Sequence, residues 1–269
     1  MDREFETIDV AEAKPGVVLV TLNRPDKGNG VVPQMARDLM AVLNAVDEDF
    51  SVRVVVLTGA GKVFSAGADL VALHDYLAHE LPVRQEPFNA RVLYPVTQKI
   101  VASRVPVIAA VNGAATAGGL DLALACDLRV ASTAAKFGET YVKIGLAPGN
   151  GGAWFLPRLV GSGRAAELAL TGDLITAAEA LEIGLVNRVV EPEELLPAAL
   201  SIAERIAANP WRAVEATKQA LRASWQQDLA GALNFGYWTA GALHWTDDFQ
   251  GRVAAFVERK TGGDGRERG

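Results

Sequence analysis

The sequence is poor in the residues that bind metals or form disulfides. Cys126 is the single cysteine among 269 residues, and none of the three histidines shows His-x-x-x-His spacing. One cysteine excludes a disulfide within the chain and a zinc site built from several thiolates. We therefore expect no bound metal and no redox cofactor.

Excess positive charge and long apolar runs are missing as well. Acidic residues outnumber basic residues by 32 to 26, which gives a net charge of −6. Nucleic acids and anionic membranes select basic surfaces, so we expect neither as a partner. No apolar run approaches the ~18 residues of a membrane-spanning helix, and the first residues lack the apolar stretch of a secretory signal. These absences predict a cytoplasmic protein.

Two kinds of hydrophobic pattern divide the chain. Up to residue 192, β-branched runs such as Val17–Leu22 alternate with helical patterns, which predicts an α/β core with parallel strands. Residues 193–269 show helical patterns only and are rich in aromatic side chains, so we expect this region to cover a subunit interface, with a filled monomer core as the alternative. The charged, glycine-rich segment 261–269 predicts a frayed tail.

Four segments rich in glycine and alanine leave the backbone uncovered: 59–64, 64–70, 112–121 and 145–152. The first does not fit a phosphate loop, because Val63 follows Lys62 where Ser or Thr is required. It does not fit a dinucleotide fingerprint either, because Phe64 occupies the sixth position. A nicotinamide-dependent dehydrogenase is therefore disfavoured, and this segment predicts a plain turn at the end of a strand.

The second and third segments indicate an anion-stabilising site. Gly118 is expected at the N-terminus of an apolar helix, where unpaired N–H groups and the helix dipole favour negative charge. N–H groups from two separate loops are suited to stabilise the oxyanion of a thioester enolate or a tetrahedral adduct. Each segment alone is also compatible with a tight turn.

Together these segments resemble the crotonase superfamily, the enoyl-CoA hydratase/isomerase family. The resemblance covers nearly the whole chain, in matching order, at residues 23–27, 64–69, 112–121, 137–152, 165–171, 184–190 and 255–260. It implies a crotonase-like spiral of repeated ββα units and a C-terminal helical region that forms a homotrimer or a dimer of trimers. It also implies an acyl-CoA substrate, with coenzyme A as part of that substrate and not as a cofactor.

The resemblance assigns roles to individual positions. It implies that the backbone N–H groups of Ala68 and Gly118 hold the thioester oxygen. The positions that hold the nucleotide and pantetheine parts of coenzyme A are occupied by Lys27, Ala66, Asp69 and Leu70. Two positions in a segment that can reach a neighbouring subunit's coenzyme A are occupied by Phe256 and Lys260.

The proton-transfer positions depart from the hydratase pattern. Hydratases of the family carry two glutamates, and Asp121 and Tyr141 stand at those positions here. Asp121 is interpreted as the general acid or base, although an acidic residue in a first helical turn is also favoured by the dipole. Tyr141 is interpreted as a neutral donor or as an aromatic wall of the acyl pocket. Glu139 is an alternative source of the second carboxylate, and Asn150 is an alternative group to orient a water.

We therefore predict a lyase of the enoyl-CoA hydratase type, with Asp121 handling the proton and Tyr141 assisting or positioning. The alternatives are an isomerase or a C–C hydrolase that acts on a cyclic or aromatic acyl-CoA. An acyl-CoA binder without catalytic activity is the alternative from a different class, because the second glutamate is missing.

Overall fold

The computed structural model describes residues 4–262 and separates them into two units. The first unit ends at Ala207 and the second begins at Ala208. The first unit contains ten strands: β1 (Ile8–Lys14), β2 (Val17–Leu22), β3 (Val54–Gly59), β4 (Val63–Ser65), β5 (Val107–Val111), β6 (Ala114–Thr116), β7 (Leu128–Ser132), β8 (Lys136–Gly138), β9 (Ile175–Thr176) and β10 (Arg188–Val190).

The strands form a large and a small sheet. The large sheet has the order β1-β2-β3-β5-β7-β10, and the small sheet has the order β4-β6-β8-β9. All neighbouring strands are parallel except the pairs β1–β2 and β8–β9. Every residue of β3 and β5 is buried, as expected for central parallel strands covered on both faces.

Nine helices belong to the described part of the first unit: α1 (Pro33–Glu48), α2 (Leu70–Asp75), α3 (Leu81–Arg84), α4 (Leu93–Ala102), α5 (Gly118–Ala125), α6 (Gly152–Val160), α7 (Ser162–Thr171), α8 (Ala177–Glu182) and α9 (Leu195–Ala207). A π-helical turn covers Tyr76–Glu80, and 3₁₀ turns cover Pro25–Lys27, Phe88–Arg91, Thr140–Ile144 and Pro192–Glu194. None of the described helices is long and apolar enough to cross a membrane.

The chain repeats one local pattern around the two sheets. In each repeat a strand of the large sheet is followed by a short strand of the small sheet and then by a helix or helical turn; β5, β6 and α5 form one such unit. The predicted α/β core of ββα units is confirmed. This arrangement brings the segments that follow β4, β6 and β8 to one side of the small sheet, since these three strands are parallel neighbours.

Helix α9 completes the core of the first unit. Leu195, Ala199 and Ala203 recur every four residues and form a buried stripe that packs against β2, β3, β5 and β7. Such spacing places all three side chains on one face of a helix. The boundary expected after residue 192 therefore lies before α9, whereas the two units of the structure separate after this helix.

The second unit consists of α10 (Trp211–Ser224), α11 (Leu229–Leu243) and α12 (Asp247–Gly262). Its large apolar side chains are mostly open to solvent in the single chain; Tyr237, Trp238 and Trp245 are 71%, 69% and 85% exposed. They do not form the filled monomer core that was the alternative expectation. Helix α12 includes the first two residues of the predicted frayed tail, and residues 263–269 lie outside the described part of the chain.

Candidate active site

The segment after β4 pairs with Val31, and this pairing orients the backbone of Ala68. The N–H of Val31 donates to the carbonyl of Gly67 at 2.7 Å, and the N–H of Asp69 donates to the carbonyl of Val31 at 3.1 Å. Both bonds lie on the same side of the chain, because peptide groups alternate along an extended segment. The N–H of Ala68 therefore points to the side opposite Val31.

Gly67 and Gly118 bring two backbone segments into contact. Gly67 has a φ of +88°, and a Cβ added to it would lie 2.8 Å from the backbone nitrogen of Gly118. Glycine is required at this position by both the conformation and the space. Ala117 precedes α5 with a φ of +47°, and the first N–H groups of a helix have no partner within it. The backbone nitrogen of Gly118 thus lies beside the segment that contains Ala68, and the pairing of their N–H groups as an oxyanion site stays a prediction.

Asp121, Tyr141 and Asn150 form a chain of hydrogen bonds one helical turn beyond Gly118. The hydroxyl of Tyr141 donates to Oδ2 of Asp121 at 2.5 Å, and Nδ2 of Asn150 donates to the hydroxyl of Tyr141 at 2.8 Å. A Cβ at Gly118 would lie 3.3 Å from the same hydroxyl. The phenol therefore touches both the carboxylate and the start of α5. All three side chains are buried, and Asp121 has no exposed surface.

Glu139 joins this cluster from the end of β8. It has no exposed surface, and neither of its carboxyl oxygens has a hydrogen-bond partner among the described residues. A Cβ added to Gly152 would lie 2.2 Å from Oδ1 of Asp121 and 2.4 Å from Oε1 of Glu139. The two carboxyl groups therefore converge on the bare backbone at the start of α6.

Burial sets the protonation state of the cluster. Burial raises the pKa of Asp121 to about 6, although hydrogen bonds from its neighbours, Tyr141 first among them, oppose the rise. Burial and the adjacent Asp121 carboxyl raise the pKa of Glu139 to about 9. Burial also raises the pKa of the Tyr141 phenol well above its usual value. At neutral pH the site thus contains one carboxylate, Asp121, and two neutral donors.

Helix α4 supplies a wall of the site that the sequence patterns did not indicate. A Cβ added to Gly118 would lie 2.3 Å from Cδ1 of Leu93, so this side chain covers the start of α5. Thr97 lies one turn further along α4, with a buried hydroxyl that has no partner among the described residues. No glycine-rich or acidic motif marks this helix, and only the three-dimensional packing identifies it.

The residues predicted to bind coenzyme A lie near one another, between the turn that ends at Lys27 and the start of α2. The N–H of Ala66 donates to the carbonyl of Gly28 at 2.9 Å, which places Ala66 beside the turn that ends at Lys27. Lys27 and Ala66 are exposed, and Leu70 at the start of α2 is 57% exposed. The structure therefore brings these residues together, and their contact with coenzyme A stays a prediction.

Asp69 has a local structural role. Its Oδ1 accepts hydrogen bonds from the N–H groups of Val71 and Ala72, which caps α2, and its Oδ2 lies 2.9 Å from Nη2 of Arg24. Although partial burial opposes the effect, the N–H of Ala72 and the Arg24 guanidinium lower the pKa of Asp69. Asp69 is thus an anion held in place by these contacts. Its ion-pair partner Arg24 was not predicted from the sequence.

Phe256 and Lys260 lie one turn apart on α12 of the second unit. Nζ of Lys260 is 5.5 Å from the centre of the Phe256 ring, and both residues are exposed. Such a pair can present a cation and an apolar surface together. Their contact with a neighbouring subunit's coenzyme A stays a prediction.

The described residues include no cluster of three or more His, Cys, Asp or Glu side chains able to hold a metal ion. An ionised carboxylate and a pair of N–H groups are the two elements needed to stabilise an enolate and to transfer a proton beside it.

Comparisons with known proteins agree with this geometry. Residues 12–263 match the family model described as enoyl-CoA hydratase/isomerase. The chain is 38% identical over 252 residues to the short-chain-enoyl-CoA hydratase of Clostridium acetobutylicum (93% of this chain and 95% of that one). It is 40% identical over 253 residues to the (E)-benzylidenesuccinyl-CoA hydratase of Thauera aromatica, with the same coverage.

Solved structures show the same fold. The crystal structure of an enoyl-CoA hydratase from Bacillus anthracis superimposes with a TM-score of 0.89 at 38% identity, covering 94% of this chain and 97% of that one. The fold and the sequence match thus lead to one conclusion. The chain belongs to the enoyl-CoA hydratase/isomerase family.

Proposed function

We propose that this protein adds water to the double bond of a 2-enoyl-CoA thioester. The observation that carries the proposal is the placement of the Asp121 carboxylate one turn along α5 from the N–H groups of Ala68 and Gly118. The name of the Clostridium relative, a short-chain-enoyl-CoA hydratase, supports the same reaction. No cofactor is required, because coenzyme A enters as part of the substrate.

The two N–H groups act on the thioester oxygen. As the oxygen of water bonds to the β-carbon, the electrons of the double bond move through the α-carbon to the thioester oxygen and form an enolate. The N–H groups of Ala68 and Gly118 and the dipole of α5 stabilise the negative charge on that oxygen. The enolate then takes a proton at the α-carbon, and the thioester carbonyl is restored.

Asp121 receives the proton that water loses and returns it to the α-carbon. Its pKa of about 6 leaves it ionised at neutral pH, yet close enough to neutrality to give the proton back. Because Asp121 has no exposed surface and Tyr141 donates to it, the Tyr141 hydroxyl passes the proton inward. In that step the phenol gives its own proton to Asp121 as it accepts one from water, so no free phenolate is formed. The return step reverses the relay: Asp121 gives its proton to the Tyr141 oxygen as the phenol gives its own proton to the α-carbon.

The coenzyme A part of the substrate is assigned to the edge formed by Lys27, Ala66, Asp69 and Leu70. Bare backbone at Ala66 and the cationic side chain of Lys27 are suited to an adenine and phosphate groups. The exposed aromatic side chains of the second unit support assembly into a homotrimer or a dimer of trimers. In that assembly Phe256 and Lys260 reach the coenzyme A of a neighbouring subunit.

An aromatic acyl-CoA is the second candidate substrate. The relative from Thauera aromatica is named for hydration of a benzylidenesuccinyl thioester, and Tyr141 replaces a carboxylate with an aromatic ring in this chain. A phenol that lines the acyl pocket would stack on an aryl group as well as donate a proton. Cinnamoyl-CoA is a suitable probe, since its double bond is conjugated to both a ring and a thioester.

The test is incubation of crotonyl-CoA with the wild-type protein and with Asp121→Asn. We expect the absorbance of the conjugated thioester to disappear with wild type, the product to gain the mass of one water, and the variant to be inactive. Asp9→Asn, at an exposed aspartate of β1, is the matched control.

Bound but unchanged crotonyl-CoA and cinnamoyl-CoA would contradict hydration of these substrates. A product of unchanged mass with a shifted double bond would instead identify an isomerase, and cleavage of a cyclic acyl-CoA would identify a C–C hydrolase. Binding without any turnover across such a panel would identify an acyl-CoA binder.

A further inference from the structure

Two buried carboxyl groups converge at the start of α6. A Cβ added to Gly152 would lie 2.2 Å from Oδ1 of Asp121 and 2.4 Å from Oε1 of Glu139. The backbone N–H groups of Asn150 and Gly152 lower the pKa of Asp121, whereas neither oxygen of Glu139 has a hydrogen-bond partner among the described residues. A buried polar atom without a hydrogen bond costs about 1–3 kcal/mol, so Glu139 needs either a donor or a proton.

A single proton meets this requirement. Two adjacent buried carboxyl groups cannot both ionise, because burial and mutual repulsion each disfavour the second charge. Among the described residues, the titratable groups that face Glu139 are Asp121 from α5 and Tyr141 from the following turn, and α6 presents only the backbone of Gly152. No cation neutralises Glu139 there, so the proton is the remaining source of neutrality.

We propose that Glu139 is a positioning residue: it remains a neutral carboxylic acid and donates its proton to Oδ1 of Asp121. Besides the backbone N–H groups of Asn150 and Gly152, the Asp121 carboxylate is then held by two side-chain donors, Tyr141 on Oδ2 and Glu139 on Oδ1. Both oxygens have a fixed partner, and the carboxylate cannot rotate away from the acyl group. Glu139 acts through Asp121 and does not itself touch the substrate.

The direction of the pKa shifts agrees with this arrangement. The pKa of Glu139 is raised to about 9, well above that of Asp121, so the pair holds one proton across neutral pH and that proton belongs to Glu139. Above about pH 9 Glu139 ionises, the donor to Asp121 is lost and two adjacent negative charges repel. Activity should therefore fall at high pH because of Glu139.

Glu139→Gln tests the proposal, since glutamine keeps the shape and a donor but cannot ionise. We expect kcat/KM at neutral pH to stay within about threefold of wild type, because the hydrogen bond to Asp121 is preserved. We also expect the decline of kcat/KM above about pH 9 to disappear.

Glu48→Gln, at an exposed glutamate at the end of α1, is the matched control and should retain the wild-type profile. An unchanged decline in Glu139→Gln, or a loss of about 100-fold at neutral pH, would overturn the proposal.

A second measurement does not depend on catalysis. The kinetic test rests on the proposed hydratase function, whereas infrared spectroscopy of protein labelled with ¹³C in its glutamate carboxyl groups reports protonation directly. We expect the carbonyl band of a neutral carboxylic acid in wild type at neutral pH, lost above about pH 9 and absent from Glu139→Gln. A wild-type spectrum that shows only carboxylate bands at neutral pH would overturn the proposal, even if the variant does not fold. If the carboxylic acid band is present but the protein does not hydrate the substrate, only the proposed function is contradicted.

Discussion

Tyr141 donates a 2.5 Å hydrogen bond to Asp121, and the two residues come from neighbouring repeats of the fold. Asp121 lies on the helix after β6, whereas Tyr141 lies on the turn after β8, and β6 and β8 are parallel neighbours in the small sheet. The pairing of these strands therefore sets the distance between the phenol and the carboxylate. The candidate site thus brings together one aspartate and one tyrosine at the positions where hydratases of the family carry two glutamates.

Removal of the phenol hydroxyl should slow proton transfer and raise the pKa of Asp121. Tyr141→Phe leaves Oδ2 of Asp121 and Nδ2 of Asn150 without their partner, so we expect a loss of about 100-fold in kcat/KM. The Tyr141 hydrogen bond lowers the pKa of Asp121, so the decline of activity at low pH should move upward from about pH 6. The pH dependence of kcat/KM measures both effects.

The matched control is Tyr94→Phe, which removes a hydroxyl from a tyrosine that is 48% exposed on α4. It should retain the wild-type rate and profile. If kcat/KM declines at the same low pH in wild type and in Tyr141→Phe, the Tyr141 hydroxyl does not lower the pKa of Asp121.

A methyl group at Gly67 should separate the paired N–H groups. The Cβ of Gly67→Ala would lie 2.8 Å from the backbone nitrogen of Gly118 at a φ of +88°. We expect about 100-fold slower turnover, as when one oxyanion donor is lost, and a stability loss of about 1–3 kcal/mol from the strained backbone. Kinetics and thermal unfolding together measure the two losses.

Gly163→Ala provides the comparison, because nothing lies within 4 Å of a Cβ at this position in α7. Alanine in a helix interior should leave activity unchanged and stabilise the protein slightly. Wild-type activity in Gly67→Ala would show that the two segments do not form the oxyanion site.

The buried acid at Glu139 should make stability depend on pH. Its pKa rises from 4.5 to about 9 on folding, so the native state keeps a proton that the unfolded state releases across this interval. The stabilisation is complete below pH 4.5 and is lost as the pH rises to about 9. Relative to Glu139→Gln, wild type should lose at most ~1.4 kcal/mol of unfolding free energy per pH unit. Urea unfolding at several pH values measures this difference, and parallel curves for the two proteins would contradict a raised pKa.

The exposed aromatic face of the second unit should hold subunits together. Trp238→Asp places a charge on a side chain that is 69% exposed in the single chain, and burial of an unpaired charge in an interface is strongly unfavourable. We expect wild type to elute as a trimer or hexamer in size-exclusion chromatography with light scattering, and the variant as smaller species. Leu170→Asp, at a similarly exposed apolar residue of α7, is the control. A monomeric wild type would contradict the assembly.

Much of the fold could be predicted from local sequence patterns. Proline at the first position and apolar residues at helical spacing predicted α1, which begins at Pro33 and buries Met35, Leu39 and Leu43. The domain boundary was harder to predict: we expected it after residue 192, whereas the two units separate after Ala207. The stripe on α9 is typical of any amphipathic helix, and only the packed sheet determines that this helix belongs to the first unit.

The candidate site was partly predictable for a related reason. Asp121 and Tyr141 stand at positions that the family resemblance singles out, and the structure brings them into direct contact. Glu139 was only an alternative source of the second carboxylate, because its neighbour in space, Gly152, lies thirteen positions further along the chain. Leu93 and Thr97 on α4 carry no local signal, since an apolar helix face has the same pattern whether it covers a core or a substrate.

Hydration of crotonyl-CoA in heavy-oxygen water tests the central claim most directly. The account predicts that wild type forms a product with the labelled hydroxyl at the β-carbon, and that Asp121→Asn, which cannot accept the proton of water, forms it at least ~100-fold more slowly. Label incorporation at the wild-type rate by a folded Asp121→Asn protein would contradict the account, because the proton would then have another acceptor.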